Sequence, residues 1–236
     1  MTDPGDNDFL SLRLKAVHDM AVEGIGDLNE RRIVDVGSDH GHLPIFALIN
    51  DGFASAVLTD IHEEPAKRSE QTLRMYGLND RAAVYCTDGL DGVELDHGDI
   101  VVMAGLGGNN MIDIMSRVIA RGNADKLKSI IWCLQPQKSS DKLRLFLSEK
   151  GFDITDENIC EDRGKYYLII RARFDGIKRD LSLEQRYYGP VILERVRRKE
   201  PQVSEYKRRL DKRFELSAQS HEDIRMMLEQ RRDTDD

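Results

Sequence analysis

The sequence predicts an α/β fold, a mostly parallel sheet flanked by helices with a helical C-terminal appendage, and three observations predict it. Short apolar runs alternate with helical stretches from residue 31 to 150. Most of these runs close on Gly, Asp-Gly or Pro, residues that end strands. Strand signals vanish after about residue 177, and charged segments of helical composition take over. Strands alternating with helices imply parallel pairing with right-handed crossovers.

Residues 9–22 place Leu10, Leu14, Val17 and Val22 near helical spacing and predict an N-terminal helix. RRIVDVG (31–37) reads as a first strand and 43–50 as a helix stopped by Asp51-Gly52. SAVLTDI (55–61) is a second strand, followed by a helix over 64–76 that opens at Pro65. AAVYCTD (82–88) and DIVVMAG (99–105) are the third and fourth strands. A helix over 109–121 leads to the fifth strand, KSIIWCLQP (128–136), and 139–150 is helical up to Gly151. Two strands joined by Arg163-Gly164 then predict an antiparallel hairpin. Over 181–230 the helical composition breaks at Gly189-Pro190 and Pro201. Val203, Leu210, Ser217 and Ile224 recur every seven residues, with Tyr206 and Met227 at the complementary spacing. Arg213 and Ser220 spoil that second seam, so the segment reads as a short helical hairpin or coiled-coil-like appendage. The division expected is 1–176 for the α/β domain and 177–236 for the appendage.

Of the 236 residues 40% are hydrophobic and 33% charged, an ordinary globular balance. No apolar run reaches the roughly 18 residues of a membrane span. The start, MTDPGDND, lacks the basic and apolar stretches of a secretory signal. Cys86, Cys133 and Cys160 stand apart without metal-ligand spacing in apolar surroundings, so buried free thiols in a reducing cytoplasm are expected. No cluster of metal ligands is visible. The net charge is −8, yet residues 176–232 hold 15 Lys+Arg against 10 Asp+Glu, leaving −13 on the rest. That asymmetry either orients a polyanion toward the basic end or reflects a solvated, salt-bridged helix surface. His18 and His97 read as surface or capping residues and Trp132 as core. Tyr166 and Tyr167 alternate, so one faces the core and the other is free to stack on a base.

The chemistry concentrates in VDVGSDHGHLPI (34–45). A glycine turn after a first parallel strand lets a ligand approach the backbone. A dinucleotide site wants GxGxxG, but here only Gly37 and Gly41 are present and Asp39 takes the middle glycine position. A carboxylate there repels pyrophosphate and tolerates the cationic groups of S-adenosylmethionine. Asp60 follows Asp35 by 25 residues at the end of the second strand, placed to accept ribose hydroxyls. Asp88, beside Gly89, ends the third strand, placed to accept from an adenine amino group. The fourth strand ends in AGLGG (104–108), without the Asn/Asp-Pro-Pro-aromatic turn of enzymes that methylate exocyclic amines. A glycine-rich turn suits a flat base whose ring nitrogen, such as adenine N1, needs no proton removed. Five parallel strands and a hairpin suggest the Rossmann-like, seven-stranded sheet of class I methyltransferases, although a fold alone does not assign a reaction.

These residues resemble the bacterial tRNA (adenine-22-N1)-methyltransferases along nearly the whole chain. The pieces are RLKAVHDM (13–20), VDVGSDHGHLPI, LTDI (58–61), TDGL (87–90), IVVMAGLGG (100–108), LQP (134–136) with LR (143–144), GF (151–152), GKYYLII (164–170) and YYGPVIL (187–193). The resemblance implies S-adenosylmethionine as methyl donor and a C-terminal helical domain that helps hold tRNA. Carried over by position, Asp35, Gly37, Asp39, Gly41, Asp60, Ile61, Asp88, Gly89 and Ala104 would line the donor site. Arg13, Asp39, His40, Gly105 and Gly107 would face the target base. Asp39 would stabilise the cationic product, or His40 orient the base. Phosphate contacts fall on Arg195, Arg197, Arg198, Lys199, Lys207, Arg208 and Arg209, with Lys212 and Arg213 beside them. His42 stands where the family has an aromatic residue, Gln137 where it tends to Asn, and Leu168 where an acidic residue is usual. The reading is a cytoplasmic monomer acting on tRNA, without membrane or obligate protein partner. Its rivals are a methyltransferase of a small molecule or protein, and a non-catalytic donor-binding RNA module.

Overall fold

The computed structural model describes residues 9–235, with side chains to residue 230; the acidic start MTDPGDND lies outside the described residues. Its elements run α1 (Leu12–Val22), β1 (Arg32–Val36), α2 (His42–Asn50), β2 (Ser55–Asp60), α3 (Glu63–Met75), β3 (Ala82–Cys86) and β4 (Ile100–Ala104). Then follow α4 (Gly108–Ala120), α5 (Ala124–Ser129), β5 (Ile131–Gln135), α6 (Ser140–Glu149), β6 (Phe152–Asp162) and β7 (Lys165–Phe174). The chain closes with α7 (Leu183–Tyr188), α8 (Pro190–Arg197), α9 (Pro201–Ser217) and α10 (Glu222–Asp235). One seven-stranded sheet has the order β3-β2-β1-β4-β5-β7-β6. Strands β1 to β5 pair in parallel, and β7 runs antiparallel between β5 and β6. This is the expected Rossmann-like sheet with its terminal hairpin.

The apolar strands are buried on both faces because helices cover both. Val34, Val36, Val101, Met103, Trp132 and Leu134 point to the side of α4 and α6. Ile33, Ile100, Val102, Ile131 and Cys133 alternate to the side of α1 and α2. Burial pushes the Cys133 thiol up to about 12. Cys86 and Cys160 correct the expectation of three buried thiols: β3 and β6 are the sheet edges, where Cys86 is exposed and Cys160 half-buried. All three thiols are free. Helix α5 was not foreseen, since six residues, ADKLKS, carry too little periodicity.

His18 is also corrected. It is buried on α1, where Nε2 lies 2.7 Å from Asp51 and Nδ1 3.1 Å from Asp19, with its ring on Phe46. It ties α1 to the end of α2. Burial opposes its protonation, but the two carboxylates outweigh burial and hold its pKa above the ordinary value.

Both predicted breaks in the C-terminal segment are helix starts. Pro190 and Pro201 occupy first-turn positions, where the missing N–H costs nothing. The four helices share a small core of Tyr188, Leu193, Leu210, Phe214, Ile224 and Met227. The heptad spacing crosses the turn at 218–221, so its members sit on two helices, and Val203 and Leu210 are buried within the chain. An ion pair binds this segment to the sheet. Arg144 of α6 and Glu157 of β6, both fully buried, meet at 2.7 Å. The Arg144 guanidinium also donates to the carbonyls of Arg186, Tyr187 and Tyr188 at the end of α7. Glu157 Oε2 accepts the Val191 and Ile192 amides at the start of α8. Gly189 lies between at φ +106°, where a Cβ would stand 2.3 Å from Glu157 Oε2. Among the described residues no helix is long and apolar enough to cross a membrane.

Candidate functional site

The carboxyl ends of the parallel strands open into a cleft of about 530 Å³, the place where ligands bind in open α/β sheets. The turn after β1 forms one wall. Gly37 has φ +76°, and its N–H and that of Ser38 both donate to the Thr59 carbonyl, which folds the turn over β2. A Cβ at Gly37 would press on Leu106 at 3.3 Å, so side chains there narrow the cleft. Asp60 ends β2, accepts the His62 amide at 2.9 Å and lines the cleft beside exposed Ile61. Asp88 lines it from beyond β3, ion-paired to Arg117 at 3.1 Å. Gly89 has φ +62° with Ile114 only 2.5 Å from a Cβ, so it is required by packing. Ala104, Gly105 and Leu106 form the floor.

Asp35 does not line the cleft. It is buried beneath the turn, where it accepts the Ser38 hydroxyl at 2.7 Å. Burial pushes its pKa up to about 6, opposed by the Ser38 hydrogen bond and the Arg13 charge. Asp39 and His40 are exposed and also lie outside the cleft lining. Asp39 pairs with Arg68 of α3 at 2.8 Å, so its charge is already engaged, and His40 takes a left-handed φ of +69°. Gly41 is buried, with a Cβ position 2.9 Å from Leu58, and it serves the packing of the turn. His42 packs on Phe9 with ring centroids 5.3 Å apart, and burial lowers its pKa.

At the mouth of the cleft a second group converges on Gly105. Arg13 donates from Nη1 to Gln135 Oε1 at 2.9 Å, and its guanidinium lies 5.7 Å from the Tyr167 ring centroid. That same nitrogen is the one nearby atom, 3.8 Å away, that a Cβ at Gly105 would meet. The structure therefore brings Arg13, Gly105, Gln135 and Tyr167 together. Gly107 lies one residue outside the cleft lining at the cap of α4, against the Lys138 side chain.

Sequence reasoning missed Asn110, Asp113 and Arg117, which line the cleft from successive turns of α4. Their i, i+3, i+7 spacing directly after a ligand-facing glycine turn is the signal that could have found them. Among the proposed phosphate contacts, Arg195 is held by Glu200 and the Glu157 carbonyl, and Arg198 by Glu194. Lys207 pairs with Asp211, while Arg208 and Arg209 both pair with Glu205. Arg197, Lys199, Lys212 and Arg213 are exposed without an ion pair among the described residues. Among the described residues no three His, Cys, Asp or Glu side chains gather as metal ligands do.

The cleft fits a nucleoside-bearing methyl donor. The glycine turn gives close backbone approach, Asp60 has an oxygen free for ribose hydroxyls, and the volume lies within the range of about 300–1,000 Å³ usual for cofactor sites. Comparison with known proteins points the same way. A methyltransferase-domain family model matches residues 10–170. The Bacillus subtilis tRNA (adenine(22)-N(1))-methyltransferase is 27% identical over 152 residues, 61% of this chain and 62% of that protein. A Mycoplasma genitalium relative is 28% identical over 148 residues, 62% of this chain and 63% of its own length. This chain thus aligns with somewhat under two thirds of these relatives. The crystal structure of Streptococcus pneumoniae Sp1610 in complex with S-adenosyl-L-methionine is 25% identical, with TM-score 0.74, covering 93% of this chain and 95% of that one. The crystal structure of the B. subtilis m1A22 tRNA methyltransferase shares the fold at TM-score 0.70 and 23% identity, over 94% and 95%.

Proposed function

The chain belongs to the methyltransferase-domain family, and on that premise we propose that it transfers a methyl group from S-adenosylmethionine to N1 of an adenine in tRNA, at the position 22 of its B. subtilis relative. The observation that carries this reading is the meeting of the glycine-lined cleft with the open group around Gly105. Bound donor supplies an electrophilic methyl on a sulfonium. Gly37 and Asp60 hold the nucleoside end, and Gly105 leaves room for a flat base to come edge-on. Adenine N1 carries a free lone pair, so the chain needs no general base. Its contribution is orientation, holding the N1 edge of the base toward the position that the donor's methyl group would take. The Tyr167 ring and Arg13 guanidinium offer surfaces on which the target base stacks. That base is extruded from the folded tRNA to reach them. Asp35 beneath the turn supports its shape and is not itself in contact with the base.

Residues 1–176 carry the donor site, and 177–236 hold RNA through Arg197, Lys199, Lys212 and Arg213. The remaining cations of α8 and α9 shape the surface through their ion pairs. The chain works as a monomer, which the burial of the apolar seam of α9 inside the molecule supports, and it works in the cytoplasm. The test is incorporation of label from S-adenosylmethionine into unmodified bulk tRNA. Incorporation that is lost in Asp60→Ala is expected. Absence of incorporation by chain shown calorimetrically to bind the donor would overturn the tRNA reading.

A further inference from the structure

A groove of about 420 Å³ runs between the tip of the β6–β7 hairpin and α9, outside the donor cleft. Its walls combine Tyr166, Tyr206, Lys165, Arg209 and Arg213. Arg209 sits over the Tyr166 ring, 4.5 Å from guanidinium carbon to centroid, and the Tyr166 and Tyr206 rings are 6.1 Å apart. Arg209 shares its charge with Glu205, whereas Lys165 and Arg213 are exposed and have no carboxylate partner among the described residues. Flat aromatic and guanidinium surfaces beside unpaired cations match an unpaired nucleotide, whose base stacks while its phosphate is neutralised.

The groove also connects to the acceptor side of the cleft. Pro136 and Gln137 line it, and the Gln137 amide donates to the Leu106 carbonyl at 2.8 Å, while Leu106 lines the donor cleft. Gln137 Nε2 reaches Gln135 Oε1, the acceptor that also holds Arg13. The 136–137 segment thereby joins the surroundings of Gly105 to the groove. We propose that this groove binds an unpaired nucleotide of the RNA strand neighbouring the target adenine, with Tyr166 and Arg209 as stacking platform and Lys165 and Arg213 as phosphate contacts. The proposal rests on the tRNA reading for its biological substrate but not for its binding chemistry.

The test uses the full chain and a fluorescein-labelled uridine octamer, with anisotropy titrations between 50 and 200 mM salt. Tyr166→Ala is expected to weaken binding roughly ten- to hundredfold, and Tyr166→Phe to retain it. Arg213→Gln is expected to flatten the salt dependence by roughly 0.7 in log–log slope. Calorimetric donor binding stays unchanged in all three variants, which shows that they are folded. On tRNA the Tyr166→Ala variant raises KM with kcat preserved. Octamer binding indifferent to both Tyr166→Ala and Arg213→Gln overturns the groove, even where the wild type methylates tRNA. Conversely, binding that depends on Tyr166 in a chain that methylates no tRNA supports the groove and removes the proposed reaction.

Discussion

Replacing Arg144 by Met separates the C-terminal helices from the sheet energetically, and the structure sets the size of the effect. The substitution keeps most of the side-chain volume but removes the charge facing Glu157, which is fully buried. Breaking one partner of a buried pair costs about 3–5 kcal/mol, because the remaining charge is left uncompensated. Three carbonyls, of Arg186, Tyr187 and Tyr188, also lose their donor. The bond to Tyr188 is the buried one of the three, and an unmatched buried acceptor costs about 1 kcal/mol or more, so the upper half of that range is expected. Against a total stability of about 5–15 kcal/mol, this is about a quarter or more. Urea denaturation followed by far-UV circular dichroism and by fluorescence of the buried Trp132 reports it. In a double-mutant cycle with Glu157→Leu the pair should couple by about 2 kcal/mol, near the upper end for contacting residues. A variant within 1 kcal/mol of wild type, or strictly additive losses, would refute the reasoning, since neither leaves a stranded charge.

Asp35→Asn tests the buried carboxyl. Its pKa is raised to about 6, so its stabilising contribution is full below pH 4 and lost as pH rises through 6; the loss amounts to about 3 kcal/mol. The variant should match wild type at pH 4 and exceed it at pH 8 in thermal denaturation, and equal destabilisation at both would contradict the assignment. His18→Gln tests the α1–α2 tie. With a raised pKa, the His18 contribution is present below pH 6.5 and lost as pH rises through the folded value. The wild-type melting temperature should fall across that window and the variant's should not; parallel curves would remove the tie. Asp60→Ala should cut donor affinity at least tenfold by calorimetry, as loss of charge-assisted hydrogen bonds of about 1.5–3 kcal/mol requires; unchanged affinity would place the ribose elsewhere.

What was legible in the sequence follows periodicity. The central strands β1, β4 and β5 are buried on both faces and read as short apolar runs, and all seven strands are present with ends displaced by up to three residues, although β3 and β6 lie at the sheet edges and are partly exposed. The strand-end aspartates were visible because topology brings those ends together. What escaped depends on direction rather than spacing. Asp39 looked like a ligand by sequence, yet the left-handed His40 and the reach of Arg68 engage it outside the cleft lining. His18 is a polar residue next to Asp19 in sequence, yet it shares the buried side of α1 with Val17, Met20 and Ala21. Arg144 and Glu157 are charged residues that pattern alone puts on the surface, and they are buried where α6 crosses β6 beneath the α7–α8 junction.

Nucleoside mass spectrometry of tRNA methylated by the purified chain tests the central claim most directly. The glycine turn without acceptors for an exocyclic amine predicts 1-methyladenosine as the product. N6-methyladenosine, or methylation of another base, would contradict the account of how Gly105, Arg13 and Tyr167 receive the ring nitrogen.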